Sequence, residues 1–289
     1  MPAALGENRY GKSRVRLVRV TRHGDRHDLA DLMVSIRFEG DFAAAHADGD
    51  NRHVLPTDTM KNTVYALAKN HPVDPIEEFA IRLARHFLEG NPPLSGVVIG
   101  IRENLWTRIP VGGSPHRHAF NSAGAERRTT RVAATRDGIT VHSGIDGLVV
   151  LKTTGSGFAG FHRDALTTLP ETSDRILATR VRARWEYWGG DVAWSATWAG
   201  VRRLILETFA TQESPSVQHT AHAIGQAVIE SFDGIRWIRL AMPNLHCLLV
   251  DLKPFGLENR NEIFVPVDEP HGLIEATVVR QGGSTAESA

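Results

Sequence analysis

The order of secondary-structure signals constrains this chain more than any single residue, because strands, two helices and strands again occur in that order twice. Two strand-like runs, RVRLVRVT (14–21) and DLADLMVSIRF (28–38), flank His23, Gly24 and Asp25 and predict a hairpin. Two helices come next. The first carries Met60, Val64 and Leu67 at helical spacing behind a polar mouth, Thr57 and Asp58. The second opens at Asp74 as N-cap, with Pro75 in its first turn and Glu77 three residues on, and ends at Gly90 before Pro92 and Pro93. Strands are predicted at 95–109 and 127–134.

The second round begins with a strand over 138–153 and a strand candidate over 175–188. A helix then places Val192, Trp194, Trp198, Val201, Ile205 and Phe209 on one face. A second polar helix mouth, SPSVQ (214–218), precedes Val217, Ala221, Ile224, Val228 and Phe232, and strands return over 234–252 and 262–280. The expected organisation is a first unit over 1–137, a second over 138–280 and a flexible tail over 281–289. Single helices do not separate the strands, as parallel βαβ units require, so the fold class is antiparallel α+β. Uncovered strand edges in such sheets predict a homo-oligomer.

With 289 residues and 42% hydrophobic content, the chain can bury one large core or two smaller ones. Lys plus Arg and Asp plus Glu both number 33, so nothing steers it globally toward nucleic acid or an anionic membrane. An anionic ligand must be met locally. The only cysteine is Cys247, which leaves no internal disulfide. No secretion segment is visible, and no apolar run reaches the roughly 18 residues of a membrane helix, so a cytoplasmic protein is expected.

Three short motifs carry possible chemistry. GSGFAG (155–160) matches a dinucleotide pattern, but the residues after it give barely two helical turns before Pro170, so its glycines are read as shaping a loop that presents Phe158. His116 and His118 in PHRHAF would share one face of a strand, yet no third metal ligand has recognisable spacing, and no metal is expected. In MPNLHC (242–247), Asn244 and His246 share a strand face about 6.5 Å apart, opposite Leu245 and Cys247. Each has a bland explanation alone. Lys12, Thr57, Asp58, Phe158, Arg175 and Gln218 join them in a set that reads as chemistry: a stacking face, planar paired hydrogen bonds and groups able to relay protons. The ligand such a set fits is flat, anionic and heterocyclic.

Over nearly its whole length the chain resembles the urate oxidase (uricase) family. The resemblance rests on YGK (10–12), TDTMKNT (57–63), PHRHAF (115–120), TTGSGFAGFHRD (153–164), TTLPETSDRILAT (167–179), SPSVQ, MPNLHC and DLKPFGLENRNEIFVPVDEPHG (251–272). It implies a tunnelling fold: two antiparallel ββααββ units per subunit, four subunits forming a tunnel, and active sites between subunits. It also implies oxidation of urate by dioxygen to 5-hydroxyisourate and hydrogen peroxide, with neither metal nor organic cofactor. By resemblance, Phe158 stacks on the purine, Arg175 and Gln218 clamp its edges, the Val217 amide adds a donor and Leu169 forms an apolar wall. Thr57 and Asp58 come from the neighbouring subunit. Lys12, Thr57 and His246 form a proton relay, and Asn244 helps hold dioxygen.

Overall fold

The structure is a computed structural model and describes residues 3–282, without the side chain of Asp268; the tail expected over 281–289 lies outside the described residues from 283 on. The chain divides into two compact units, Met1–Gly144 with Gly189–Ser195, and Ile145–Trp188 with Ala196–Ala289.

In the first unit, β1 (Tyr10–His23) and β2 (Arg26–Gly40) form the expected hairpin, closing His23 against Arg26 around Gly24, whose φ of 61° suits glycine. A short helix α1 (Ala43–Ala47), without a counterpart in the sequence pattern, precedes α2 (Thr57–Asn70) and α3 (Ile76–Gly90). Strands β3 (Leu94–Val111) and β4 (Ser114–Thr135) complete an antiparallel series in the order β1, β2, β3, β4. The segment carrying PHRHAF is thus part of one long β4. Alternate residues Leu32, Val34, Ile36 and Phe38 of β2 are buried, as the period-two pattern predicts, as are Val97, Ile99 and Ile101 of β3. Helix α3 buries Phe79, Leu83 and Phe87 and packs on β3 and β4.

Two local expectations are corrected here. Asp74 does not cap α3: the N-cap position is Pro75, with no side-chain cap, and Asp74 instead lies 3.5 Å from Arg128. Glu77, expected to complete a capping box, is fully buried and committed elsewhere, accepting from Arg128 at 2.7 Å and from the Ser143 hydroxyl at 2.6 Å. In α2 the apolar stripe ends on buried Ala68, with Leu67 only half-buried, because the side chain facing the sheet is the one eight residues from Met60.

The strand β5 (Ile139–Lys152) and the helix α4 (Trp194–Thr211) each begin in the first unit and end in the second. The second unit contains β6 (Leu177–Tyr187), α5 (Val217–Ser231), β7 (Ile235–Ala241), β8 (Asn244–Leu249), β9 (Phe264–Gly272) and β10 (Glu275–Val279). Strand β6 pairs with β7 and β8, β7 with β10, and β8 with β9, all antiparallel. The run expected over 234–252 breaks at Met242 and Pro243. Pro243 has no N–H to offer a ladder, while the Met242 amide donates to the Ile274 carbonyl at 2.8 Å. On α4 the buried positions are Val201, Ile205 and Phe209; Trp194 and Trp198, predicted on the same face, remain partly exposed, and Val192 precedes the helix. Helix α5 buries Val217, Ala221, Ile224 and Val228 as predicted, while Phe232 sits beyond its last turn as C-cap. Among the described residues, no helix is long and apolar enough to cross a membrane.

Candidate functional site

The first unit brings Lys12, Thr57 and Asp58 to one region. Lys12 lies opposite Ile36 at the last regular position of β1 before its register breaks, and Thr57 is the first residue of α2. Lys61 bonds the exposed Asp58 carboxylate and holds it below the usual carboxylate range, with Asn62 at 2.9 Å and the charge of Lys12 adding to the effect. The carboxylate is therefore ionised at any neutral pH. Its position in the first turn suits the positive end of the helix.

The second unit assembles the aromatic and planar groups. Phe158 sits in a loop, as the glycine reading predicted, tied to Thr172 by amide-to-carbonyl bonds of 2.8 and 3.0 Å. At Gly157 an added Cβ would stand 3.1 Å from the Ser173 carbonyl, so any larger residue would push the two segments apart by a few tenths of an ångström. The Asp174 carboxylate accepts from Thr154 Oγ1 at 2.8 Å and from the Gly155 amide at 2.9 Å, which holds it below the usual carboxylate range. One residue on, the Arg175 amide donates to the Ser156 carbonyl at 2.7 Å. These bonds put the Arg175 guanidinium 5.4 Å from the Phe158 ring centroid. Burial lowers the pKa of that guanidinium, and its Nε is buried with no hydrogen-bond partner. A cation partly removed from water beside an aromatic face is suited to a planar anion.

The same loop fixes the second helix mouth. Ser156 bridges Ser214, with the Gly157 amide donating to the Ser214 carbonyl and the Ser214 amide to the Gly155 carbonyl, both at 2.9 Å. Ser216 caps α5, its hydroxyl accepting from the His219 amide at 3.2 Å. Val217 and Gln218 therefore open α5 beside the Phe158 loop, Val217 buried and Gln218 exposed. Asn244 and His246 share a face of β8, their side-chain nitrogens 3.4 Å apart, and Asn244 pairs across to Thr179 of β6. Leu169 lies in the loop before Arg175, 52% exposed.

The sequence pattern assigns no role to Asp174, Ser214 or Tyr10, although TTLPETSDRILAT, SPSVQ and YGK contain them. Their work is to hold loops, and no periodicity reports that. His116 and His118 do approach each other, with ring centroids 4.6 Å apart, and His27 lies 5.7 Å from His118. No group of three or more His, Cys, Asp or Glu side chains among the described residues is placed to hold a metal ion.

Two antiparallel α+β units, each with polar groups gathered at a helix mouth, are what the resemblance to a tunnelling-fold protein implies. The uricase family model matches residues 8–133 and 141–275. Among curated proteins, the chain is 48% identical to a uricase of Arthrobacter globiformis over 278 residues, covering 96% of this chain and 90% of that one. It is 39% identical to a uricase of Dictyostelium discoideum over 282 residues, covering 96% and 98% of the two chains. The crystal structure of the Arthrobacter globiformis uricase superposes with a TM-score of 0.95 at 46% identity, covering 100% of this chain and 99% of that one. The chain belongs to the uricase family. Its activity is that of a urate oxidase, an oxidoreductase.

Proposed function

We propose that the two groups of residues form one site for urate, completed between subunits of a homotetramer acting in the cytoplasm. Phe158 stacks on the purine, Arg175 and Gln218 hydrogen-bond its edges, the Val217 amide adds a donor at the start of α5, and Leu169 closes an apolar side. A neighbouring subunit supplies Thr57 and Asp58, together with Lys12, whose charge is felt at Asp58. The observation that carries this reading is the buried, unpartnered Nε of Arg175 beside the Phe158 face.

Dioxygen has a triplet ground state, so the substrate must release an electron readily, and a doubly deprotonated urate does so. Lys12, Thr57 and His246 relay the protons, while Asn244 helps hold dioxygen above the ring. Urate, dioxygen and water then become 5-hydroxyisourate and hydrogen peroxide. The protein deprotonates, orients and excludes bulk water, with neither metal nor organic cofactor.

EDTA-treated protein incubated with urate in air is expected to consume urate and dioxygen in equal amounts and to release peroxide. Urate binding without oxygen uptake would instead leave a purine-binding module. A site shared between subunits predicts that inactive Thr57→Ala and Phe158→Ala chains, refolded together, recover activity through mixed assemblies; no recovery would place each site within one chain.

A further inference from the structure

Tyr10 begins β1 two residues before Lys12, and Leu55 lies two residues before Thr57. The Tyr10 hydroxyl joins these stretches twice over, accepting from the Leu55 amide at 2.9 Å and donating to the Leu55 carbonyl at 3.2 Å. With donor and acceptor both engaged by one backbone residue, this hydroxyl is unsuited to a proton-transfer step of its own. It is suited to holding a distance.

The surroundings fix the clamp from both sides. The Tyr10 ring meets Phe42 edge-on at 4.7 Å and Phe38 edge-on at 5.7 Å, so the phenol cannot swing away without losing aromatic packing. Gly11 brings β1 so close to β2 that an added Cβ would stand 2.0 Å from the Ile36 carbonyl, which locks the backbone between Tyr10 and Lys12. Immediately past Lys12 the register breaks, and Arg14 takes a φ of 60°. At the other end, α2 has Pro56 at its N-cap and no side-chain cap, and the bonds from Tyr10 to Leu55 fasten the chain just before it enters the helix. Burial raises the phenol's pKa, which keeps the donating proton in place at neutral and mildly alkaline pH.

We propose that Tyr10 is a positioning residue for urate oxidation, clamping the backbone at Leu55 so that Lys12 and Thr57 keep the separation their proton relay needs. This rests on the relay assigned to Lys12 and Thr57 under the proposed function. A general fold contribution would weaken every variant alike, whereas a clamp acts through Lys12 and spares the urate-gripping residues of the second unit.

The test is a cycle of Tyr10→Phe, Lys12→Ala and the double variant, each checked for intact assembly and far-ultraviolet spectrum, with kcat and KM for urate measured across pH. Tyr10→Phe should lower kcat about 10-fold, the scale expected for a misplaced reacting group, with KM within about 2-fold. Added to Lys12→Ala it should cost nothing further, because the group it positions is gone. Tyr10→His, which retains a ring and a hydrogen-bonding nitrogen, should recover part of kcat and serves in its place if the Phe variant does not assemble. Undiminished kcat in Tyr10→Phe beside an impaired Lys12→Ala overturns the clamp alone. An equal proportional loss in both backgrounds also overturns it, as does a fall confined to KM. Undiminished turnover in Lys12→Ala removes the relay itself and the clamp with it.

Discussion

In the first unit α3 meets its sheet through apolar side chains with one buried ion pair set among them, Glu77 against Arg128 and Ser143, and Glu103 on the neighbouring strand lies directly opposite Arg128. In the second unit α5 meets β7 and β10 through apolar side chains, and Gly225 approaches so closely that an added Cβ would stand 2.4 Å from Val278 Cγ2. The candidate site divides along the same line. The first unit contributes charged and titratable groups at a strand end and a helix mouth, whereas the second contributes loop residues stapled by Asp174 and Ser214, the first residues of α5 and the Asn244 and His246 pair of β8. The same order of elements therefore supports a half that brings Lys12, Thr57 and Asp58 to the candidate site and a half that brings its aromatic and planar groups together with His246. A buried ion pair adds little net stability although removing one partner is costly, while dry close packing both stabilises and fixes geometry.

Several changes would break or sharpen that contrast. Lys12→Ala should lower kcat by about 10²–10⁴-fold, the range for losing a positioned proton-transfer group, with KM little changed. Steady-state oxygen uptake reads this directly, and normal turnover would remove Lys12 from the proton relay. Arg128→Met should cost about 3–5 kcal/mol of stability by leaving buried Glu77 without its cation. Denaturant unfolding measures it, and a loss below about 1 kcal/mol would mean that Ser143 and relaxation suffice.

Gly225→Ala should cost about 1–3 kcal/mol, because the new methyl would also stand 2.8 Å from Val278 Cβ, an atom that side-chain rotation does not move. Adding Val278→Ala should restore part of it. A fourth expectation concerns pH. Burial pushes Glu103 up to about 7, with Arg128 opposing and Asp74, Glu77 and Asp31 reinforcing. The unfolded chain loses this proton near pH 4.5, so the contribution of Glu103 to stability is complete below that pH and is lost as pH rises to about 7. Between pH 5 and 8, Glu103→Gln should flatten the melting profile by roughly 1–2 kcal/mol, and an unchanged slope would show that Glu103 is ionised throughout. The smallest effect is expected from Asp174→Asn, which weakens the staple between the Phe158 loop and Arg175. KM for urate should rise about 10-fold with kcat nearly constant, in contrast to Lys12→Ala.

Much of the fold was legible because hydrophobic periodicity is local. The alternation of β2, the stripes of α4 and α5 and the hairpin at Gly24 can be read within a dozen residues. Where the reading failed, a long-range partner had displaced a local one. Glu77 fits a capping-box pattern, but Arg128 lies 51 positions away and takes its carboxylate. At Met242 the distant partner is the Ile274 carbonyl, which takes its amide and helps split a run that looks continuous, whereas the missing N–H of Pro243 beside it is a local sign of the break.

The chemistry of the candidate site was present as residue types, since an arginine, a phenylalanine and a polar helix mouth announce what they can bind wherever they stand. Their relations were not. That Asp174 ties the Phe158 loop to Arg175, and that the Tyr10 hydroxyl fastens the strand of Lys12 to the helix of Thr57, depends on bonds closed by distant turns of the chain. The sequence by itself determined the order of elements and the functional groups, because both arise from local propensity and side-chain chemistry. Only the tertiary structure decided which of those groups are held at a fixed distance, because that is set by contacts whose partners no local pattern names.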